Sequence, residues 1–364
     1  MYIRYPKLTL FFANVFVFVI LFGTIEIASW LYLKSLWGKN IEKQIAQEYL
    51  DFSSDVIRKL YETENIEPIK KLLARGGAPF NEDYTDHIFF KRKHRMRRVK
   101  NQAAWPPKKN NINIFFFGGS TTLGYGVLYD QSIPSYTQEL FYVKKRLNVS
   151  AYNFGQTSYA SIHELSLFKD ILLNGFIPKI AVFIDGLNDL YFAFLYDKTS
   201  NSFLKIFENF FKKTNFNKVF NILFGAKSSN KSIEKALDLL NTHRMIIKKE
   251  FCERFGIVCI FVHQPVPLYH YDIKKHLYVN YKYKGKYKLA FGLGQNITYG
   301  YELFNKKMTN NEYANLKNQL LDLSKFEIDA NLYIDAVHYS PKFNQAIAME
   351  IINFMEKNKI FVRR

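Results

Sequence analysis

Four short apolar runs limit what this chain can fold into: INIFFF at 112–117, SAYNFG at 150–155, KIAVFIDG at 179–186 and GIVCIFVHQP at 256–265. They are near-continuously apolar, as strands are when helices cover both faces of a parallel sheet. Between and after them the spacing is helical, and helices are predicted at about 158–174, 232–254, 310–324 and 341–357. The runs and their crossovers predict an α/β domain, a three-layer doubly wound parallel sheet with flavodoxin-like winding.

Two stretches break that rhythm. Residues 190–228 contain FLKIFENFFKKTNFNKVFNILFG, an aromatic amphipathic insertion placed where a lid over the carboxyl edge of the sheet would sit, with core packing as the alternative. Residues 267–303 are tyrosine-rich and predict a loop or hairpin that offers either stacking surface for sugars or an ordinary β surface.

The amino terminus bears on location. No charge occurs from Leu8 to Ile25, and after Glu26 the apolar character resumes through Leu33, enough to cross roughly 30 Å of hydrocarbon as a helix. A retained transmembrane anchor is the favoured expectation. A cleaved signal peptide would have a shorter apolar core, and only Ile27-Ala28-Ser29 offers a cleavage site. Arg4 and Lys7 precede the span while Lys34, Lys39 and Lys43 follow it, so charge gives little direction; an extracytoplasmic domain is the expectation carried forward. The resulting division is an anchor at 1–34, a stalk with helical and basic linker character at 35–107, and the α/β domain at 108–358.

The formal charge is +19, and such a field suits nucleic acid, anionic lipid or acidic glycan equally. The basic run KRKHRMRRVK, residues 91–100, is either a solvated face or a surface for anionic headgroups or acidic glycans. No nucleic-acid module is recognisable, so no nucleic-acid partner is expected. Cys252 and Cys259 cannot form a disulfide framework or a four-thiolate zinc site. Two small core residues are expected, with an isolated bridge as the alternative in an oxidising compartment.

Chemistry gathers at the strand ends, where open parallel sheets collect ligands. Ser120 follows the first strand on a glycine turn, Gly155 follows the second, and Asn188 in Gly186-Leu187-Asn188-Asp189 follows the third. Asp335 and His338, three apart before the last helix, can both point into one site. A serine hydroxyl needs an imidazole to take its proton and a carboxylate to orient that imidazole, and these five residues cover nucleophile, base, orienter and oxyanion donors. Asp185 and Asp189 are expected to fix the loop around Asn188. His163, His243 and His263 are expected to be structural, with His263 or Gln264 alternatively lining the pocket.

At these blocks the chain resembles the SGNH (GDSL-like) hydrolases. Ser120 in FGGSTTLG matches the nucleophile block, with Gly119 in place of the commoner aspartate, a GGST variant. Gly155 in NFGQTS, Asn188 in DGLND, and Asp335 with His338 in DAVH match the remaining blocks, and Phe343 stands where many members have glycine. The resemblance covers about residues 111–356. It implies catalysis by Ser120, Asp335 and His338, an oxyanion hole from the Ser120 amide, Gly155 and Asn188, and no metal or organic cofactor. The expected activity is hydrolysis of an O-acyl ester, favoured as acetyl on a cell-envelope glycan. The alternatives are acyl transfer to such a glycan, lipid acyl hydrolysis, or a non-catalytic role in polysaccharide assembly or binding. Oligomeric state is not indicated.

Overall fold

The computed structural model describes residues 6–36, 92–93, 96–193, 229–277, 279–280, 294–316 and 318–360. The described strands are β1 Arg92–Lys93, β2 Met96–Arg97, β3 Ile112–Gly118, β4 Val149–Asn153, β5 Ile180–Asp185, β6 Val258–His263 and β7 Leu320–Asp322. They form one sheet in the order β1-β2-β4-β3-β5-β6-β7. From β4 to β7 every pairing is parallel, while β2 pairs antiparallel with β4 through Arg97 opposite Asn153. The parallel part has the flavodoxin-like order, in which the chain reverses its winding between β3 and β5.

The helices are α1 Pro6–Leu36, α2 Ser120–Leu123, α3 Ile133–Lys145, α4 Ser161–Leu173, α5 Leu187–Tyr191, α6 Asn230–Ile246, α7 Gly294–Thr309 and α8 Pro341–Lys357. Alternation along the strands explains the apolar runs. Ile114, Phe116, Val182, Ile184 and Val262 belong to a core with Ile133 and Leu140 of α3 and Phe343, Ile347 and Ile351 of α8. Phe115, Phe117, Phe183 and Phe261, on the other face, pack with Leu167 and Phe168 of α4 and Leu237 and Leu240 of α6. Burying each such phenylalanine contributes about 1.5–3 kcal/mol relative to exposure. The sheet is thus apolar on both faces.

Within α1, Leu10–Tyr32 is 23 residues long and apolar enough to cross a membrane. Most of the stalk expected at 35–107 lies outside the described residues, from residue 37 to 91, as does most of the expected lid, from residue 194 to 228.

Three expectations are corrected. The helix expected at 310–324 is replaced by turns, a 3₁₀ turn Ala314–Leu316 and the strand β7. Tyr313, Leu316, Leu320 and Leu323 are all buried at helix-like spacing, so periodicity misleads where pairing with β6 decides. The tyrosine-rich stretch begins as the expected loop, with turns and a 3₁₀ turn Ile273–Lys275, but its other described end is α7, which buries Ile297, Tyr301 and Phe304. The centre of that stretch lies outside the described residues.

Cys252 and Cys259, favoured above as unpaired core residues, are buried and joined in a disulfide. A π-helical turn Ile247–Glu253 extends α6, and the reversal at Gly256 brings the two Cα atoms to 6.0 Å. Residues ahead of position 108 also pack against the sheet. Met96 and Val99 are core residues, and the Trp105 ring lies 5.7 Å from Tyr152 and 4.6 Å from Phe176.

Candidate active site

The position of Ser120 is built by glycines. At Gly118 φ is +156°, and a Cβ would stand 2.1 Å from Thr122 Oγ1 and 2.6 Å from the Ile184 carbonyl, so no side chain fits between β3 and the following turn. Ser120 then opens α2, whose turn closes as the Gly124 and Tyr125 amides donate to the Ser120 carbonyl at 3.0 and 2.9 Å. Gly124, left-handed at φ +78°, ends it.

Asp335 and His338 occupy a tight loop before α8. An antiparallel bridge between Tyr333 and Tyr339 closes its base, and the Ile334 amide donates to the His338 carbonyl at 2.9 Å. Asp335 Oδ1 accepts the Val337 and His338 amides at 2.9 and 2.8 Å, an Asx-type turn that fixes the carboxylate. Its Oδ2 lies 2.6 Å from His338 Nδ1, and His338 Nε2 lies 2.8 Å from Ser120 Oγ. The Tyr125 ring packs on the imidazole at 4.5 Å between centroids. Ser340 caps α8 by accepting the Phe343 amide, and Phe343 is fully buried against Tyr333 and Tyr339. Phe343 therefore helps hold the base of the loop.

Burial works to raise the Asp335 pKa, but the His338 ring and the two amides outweigh it and bring it down to about 2. An ionised carboxylate only accepts, so the proton on the facing ring nitrogen belongs to Nδ1. In the neutral ring Nε2 is then an acceptor, to which the Ser120 hydroxyl donates. The arrangement can move a proton from serine to imidazole, with the charge that develops balanced by Asp335.

Asn188 follows β5 at the start of α5. Gly186, with φ +115°, makes the preceding turn, where a Cβ would meet the His263 ring at 2.7 Å. Asn188 Nδ2 donates to the Tyr159 carbonyl at 2.7 Å, and a Cβ on Gly119 would stand 2.5 Å from the same nitrogen. The carboxamide thus lies directly over the residue preceding Ser120. Gly155 is packed against α2, where a Cβ would come within 2.3 Å of the Leu123 amide nitrogen. Its own N–H donates to Asn153 Oδ1 at 3.0 Å.

Behind the Asn188 loop is a buried polar cluster of which the sequence showed only parts. Asp189 accepts from the Ser161 amide and hydroxyl, the latter at 2.5 Å, and Ser161 Oγ is 2.7 Å from His243 Nδ1. Asp185 instead pairs with the buried Arg244 guanidinium. Burial raises the Glu164 pKa well above the usual carboxylate value, reinforced by Asp185 and Asp189 and opposed by Arg244. His263 is fully buried and stacks on Phe304 at 3.6 Å; burial, with Arg244 nearby, lowers its pKa well below the usual value, so it is a neutral structural ring. The His163 Nδ1 accepts the Ala160 amide at the start of α4. Among the described residues no three His, Cys, Asp or Glu side chains gather as metal ligands would.

No protein-family model matches the chain, and no curated protein matches it. Solved structures with a similar course of chain include a lipase from a goat rumen metagenome, at 13% identity and a TM-score of 0.42, covering 67% of this chain and 97% of that one. A member of the lipolytic protein G-D-S-L family from Veillonella parvula is 14% identical, with a TM-score of 0.36 and coverage of 66% and 96%. A carbohydrate acetylesterase family member from Sinorhizobium meliloti is 12% identical, with a TM-score of 0.38 and coverage of 68% and 98%.

Proposed function

We propose that this protein is a membrane-anchored serine hydrolase of the SGNH type, in a GGST variant, acting on esters. The observation that carries the reading is the continuous hydrogen-bond chain Ser120–His338–Asp335, with Nε2 2.8 Å from Oγ and Nδ1 2.6 Å from the carboxylate. In the proposed reaction Ser120 Oγ attacks the ester carbonyl carbon as its proton passes to His338 Nε2. The tetrahedral intermediate collapses, the C–O bond to the alcohol breaks, and His338 returns the proton to the departing oxygen. Water, deprotonated by the same nitrogen, then attacks the acyl carbon, and the bond to Ser120 Oγ breaks as His338 returns the proton to Oγ and the acid departs.

The Ser120 amide, Asn188 and Gly155 are the proposed oxyanion donors. Asn188 has two N–H bonds and commits one to Tyr159, which leaves the other for the oxyanion. Gly155 must exchange its bond to Asn153 for one to the intermediate.

The proposed substrate is an O-acyl group, in the first place acetyl, on a cell-envelope glycan. The apolar Leu10–Tyr32 segment supports a membrane-tethered domain, and the Cys252–Cys259 disulfide suits an oxidising, extracytoplasmic compartment. The same apolar segment also suits a lipid ester as the second reading. Isolated envelopes incubated with the full-length protein separate them: acetate release that disappears in Ser120→Ala supports the glycan ester, and long-chain acid release supports the lipid.

A further inference from the structure

The basic run at 91–100 holds a residue that the proposed chemistry has not yet used. Arg97 is fully buried. Its guanidinium donates from Nη1 to the carbonyls of Leu123 and Gly124 and from Nη2 to that of Val127 at 2.6 Å. Leu123 ends α2, the single helical turn that Ser120 opens, and Gly124 is its left-handed exit. Arg97 therefore grips the nucleophile turn at its carboxyl end.

The β2–β4 register makes the grip two-handed. Arg97 stands directly across from Asn153, and cross-strand partners send their side chains to the same face. Asn153 Nδ2 donates to the Thr122 and Leu123 carbonyls at 3.0 and 3.3 Å, so both side chains share the Leu123 oxygen. The Asn153 oxygen in turn accepts the Gly155 amide. One connected set thus runs from the segment following residue 91, through the nucleophile turn, to a proposed oxyanion donor. A planar fork of donors can serve several carbonyls at once, which a lysine ammonium on a flexible stem does not reproduce. A Cβ on Gly124 would lie 2.6 Å from Arg97 Nη1, so the glycine also makes room for the guanidinium.

We propose that Arg97 is a positioning residue for catalysis, which sets the orientation of the Ser120 turn toward His338 and makes β2 a working part of the active site. This rests on the reading of Ser120 as nucleophile. The test uses full-length protein in detergent, with p-nitrophenyl acetate for kcat and KM and a fluorophosphonate for the rate of Ser120 labelling, at a temperature well below each variant's melting point. For Arg97→Lys and Arg97→Met the expected result is a folded protein with kcat and labelling rate reduced together, about tenfold and a hundredfold respectively, at nearly unchanged KM. A misaimed hydroxyl lowers the chemical step and leaves binding alone. Folded variants with wild-type kcat and labelling overturn the proposal. So does failure of even Arg97→Lys to fold, which would make Arg97 a requirement of the fold only. A wild-type protein that neither turns over nor labels at Ser120 removes the nucleophile reading itself, and this proposal with it.

Discussion

His338 Nε2 lies 2.8 Å from Ser120 Oγ, although 218 residues separate them in the chain. Two independent local structures meet there: a glycine turn at the carboxyl end of β3 and an Asx-type loop in front of α8. Each is closed by its own hydrogen bonds, so removing a polar tip should disturb chemistry more than fold.

Asp335→Asn places an amide where an ionised carboxylate holds the Nδ1 proton, which disfavours the tautomer that leaves Nε2 as acceptor. Turnover of p-nitrophenyl acetate should fall by about 10⁴-fold, with a melting temperature within a few degrees of wild type. Retained turnover would show that the imidazole does not depend on Asp335. Because Asp335 titrates only at about pH 2, the acid limb of the activity profile should not originate from it.

Asn188→Ala removes a proposed oxyanion donor. The expected loss is about 10²–10³-fold in kcat at similar KM, read from steady-state kinetics on the same ester. An unchanged kcat would remove Asn188 from the mechanism.

Gly119 is the point at which the chain departs from the commoner aspartate of the family it resembles. Any side chain there meets Asn188 Nδ2, since a Cβ would lie only 2.5 Å away. Gly119→Asp should therefore lower kcat by displacing Asn188, and it should add little to the loss already caused by Asn188→Ala. Additive losses in that double-mutant cycle would mean the two positions act separately.

Glu164 is buried, and among the described residues neither carboxyl oxygen finds a hydrogen-bond partner. Its pKa is raised on folding, so the native state holds a proton that the unfolded chain releases above about pH 4.5. Stability then falls as pH rises from that value toward the folded-state pKa, by up to about 1.4 kcal/mol per pH unit for one proton. Glu164→Gln should flatten the decline in melting temperature between pH 5 and 8 and be the more stable protein at the alkaline end. Parallel melting curves across that range would show that Glu164 is not held neutral.

The sheet was readable because its strands are apolar on both faces, and INIFFF, KIAVFIDG and GIVCIFVHQP contain β3, β5 and β6 within a residue or two at each end. Turn glycines and an Asp-x-x-His spacing, which constrain local geometry, also singled out the five candidate residues, of which Ser120, His338 and Asp335 form one hydrogen-bond chain. What the sequence concealed depends on partners distant in the chain. Leu320–Asp322 has helical spacing and becomes a strand only because β6 offers it an edge. Arg97 looks like one more solvated cation in a basic run until its register opposite Asn153 carries it under the Ser120 turn. Arg244 gave no local sign of its pairing with Asp185, 59 residues earlier. The bond from Gly155 to Asn153 was equally hidden, because a glycine after a strand does not reveal what its amide meets.

Mass-spectrometric mapping of a fluorophosphonate adduct on the full-length protein puts the Ser120–His338 relationship to trial. A single adduct on Ser120 in the wild type, formed at least a hundredfold more slowly in His338→Ala, is the expected result. No adduct on Ser120, or equal labelling with and without the imidazole, would contradict the proposed nucleophile.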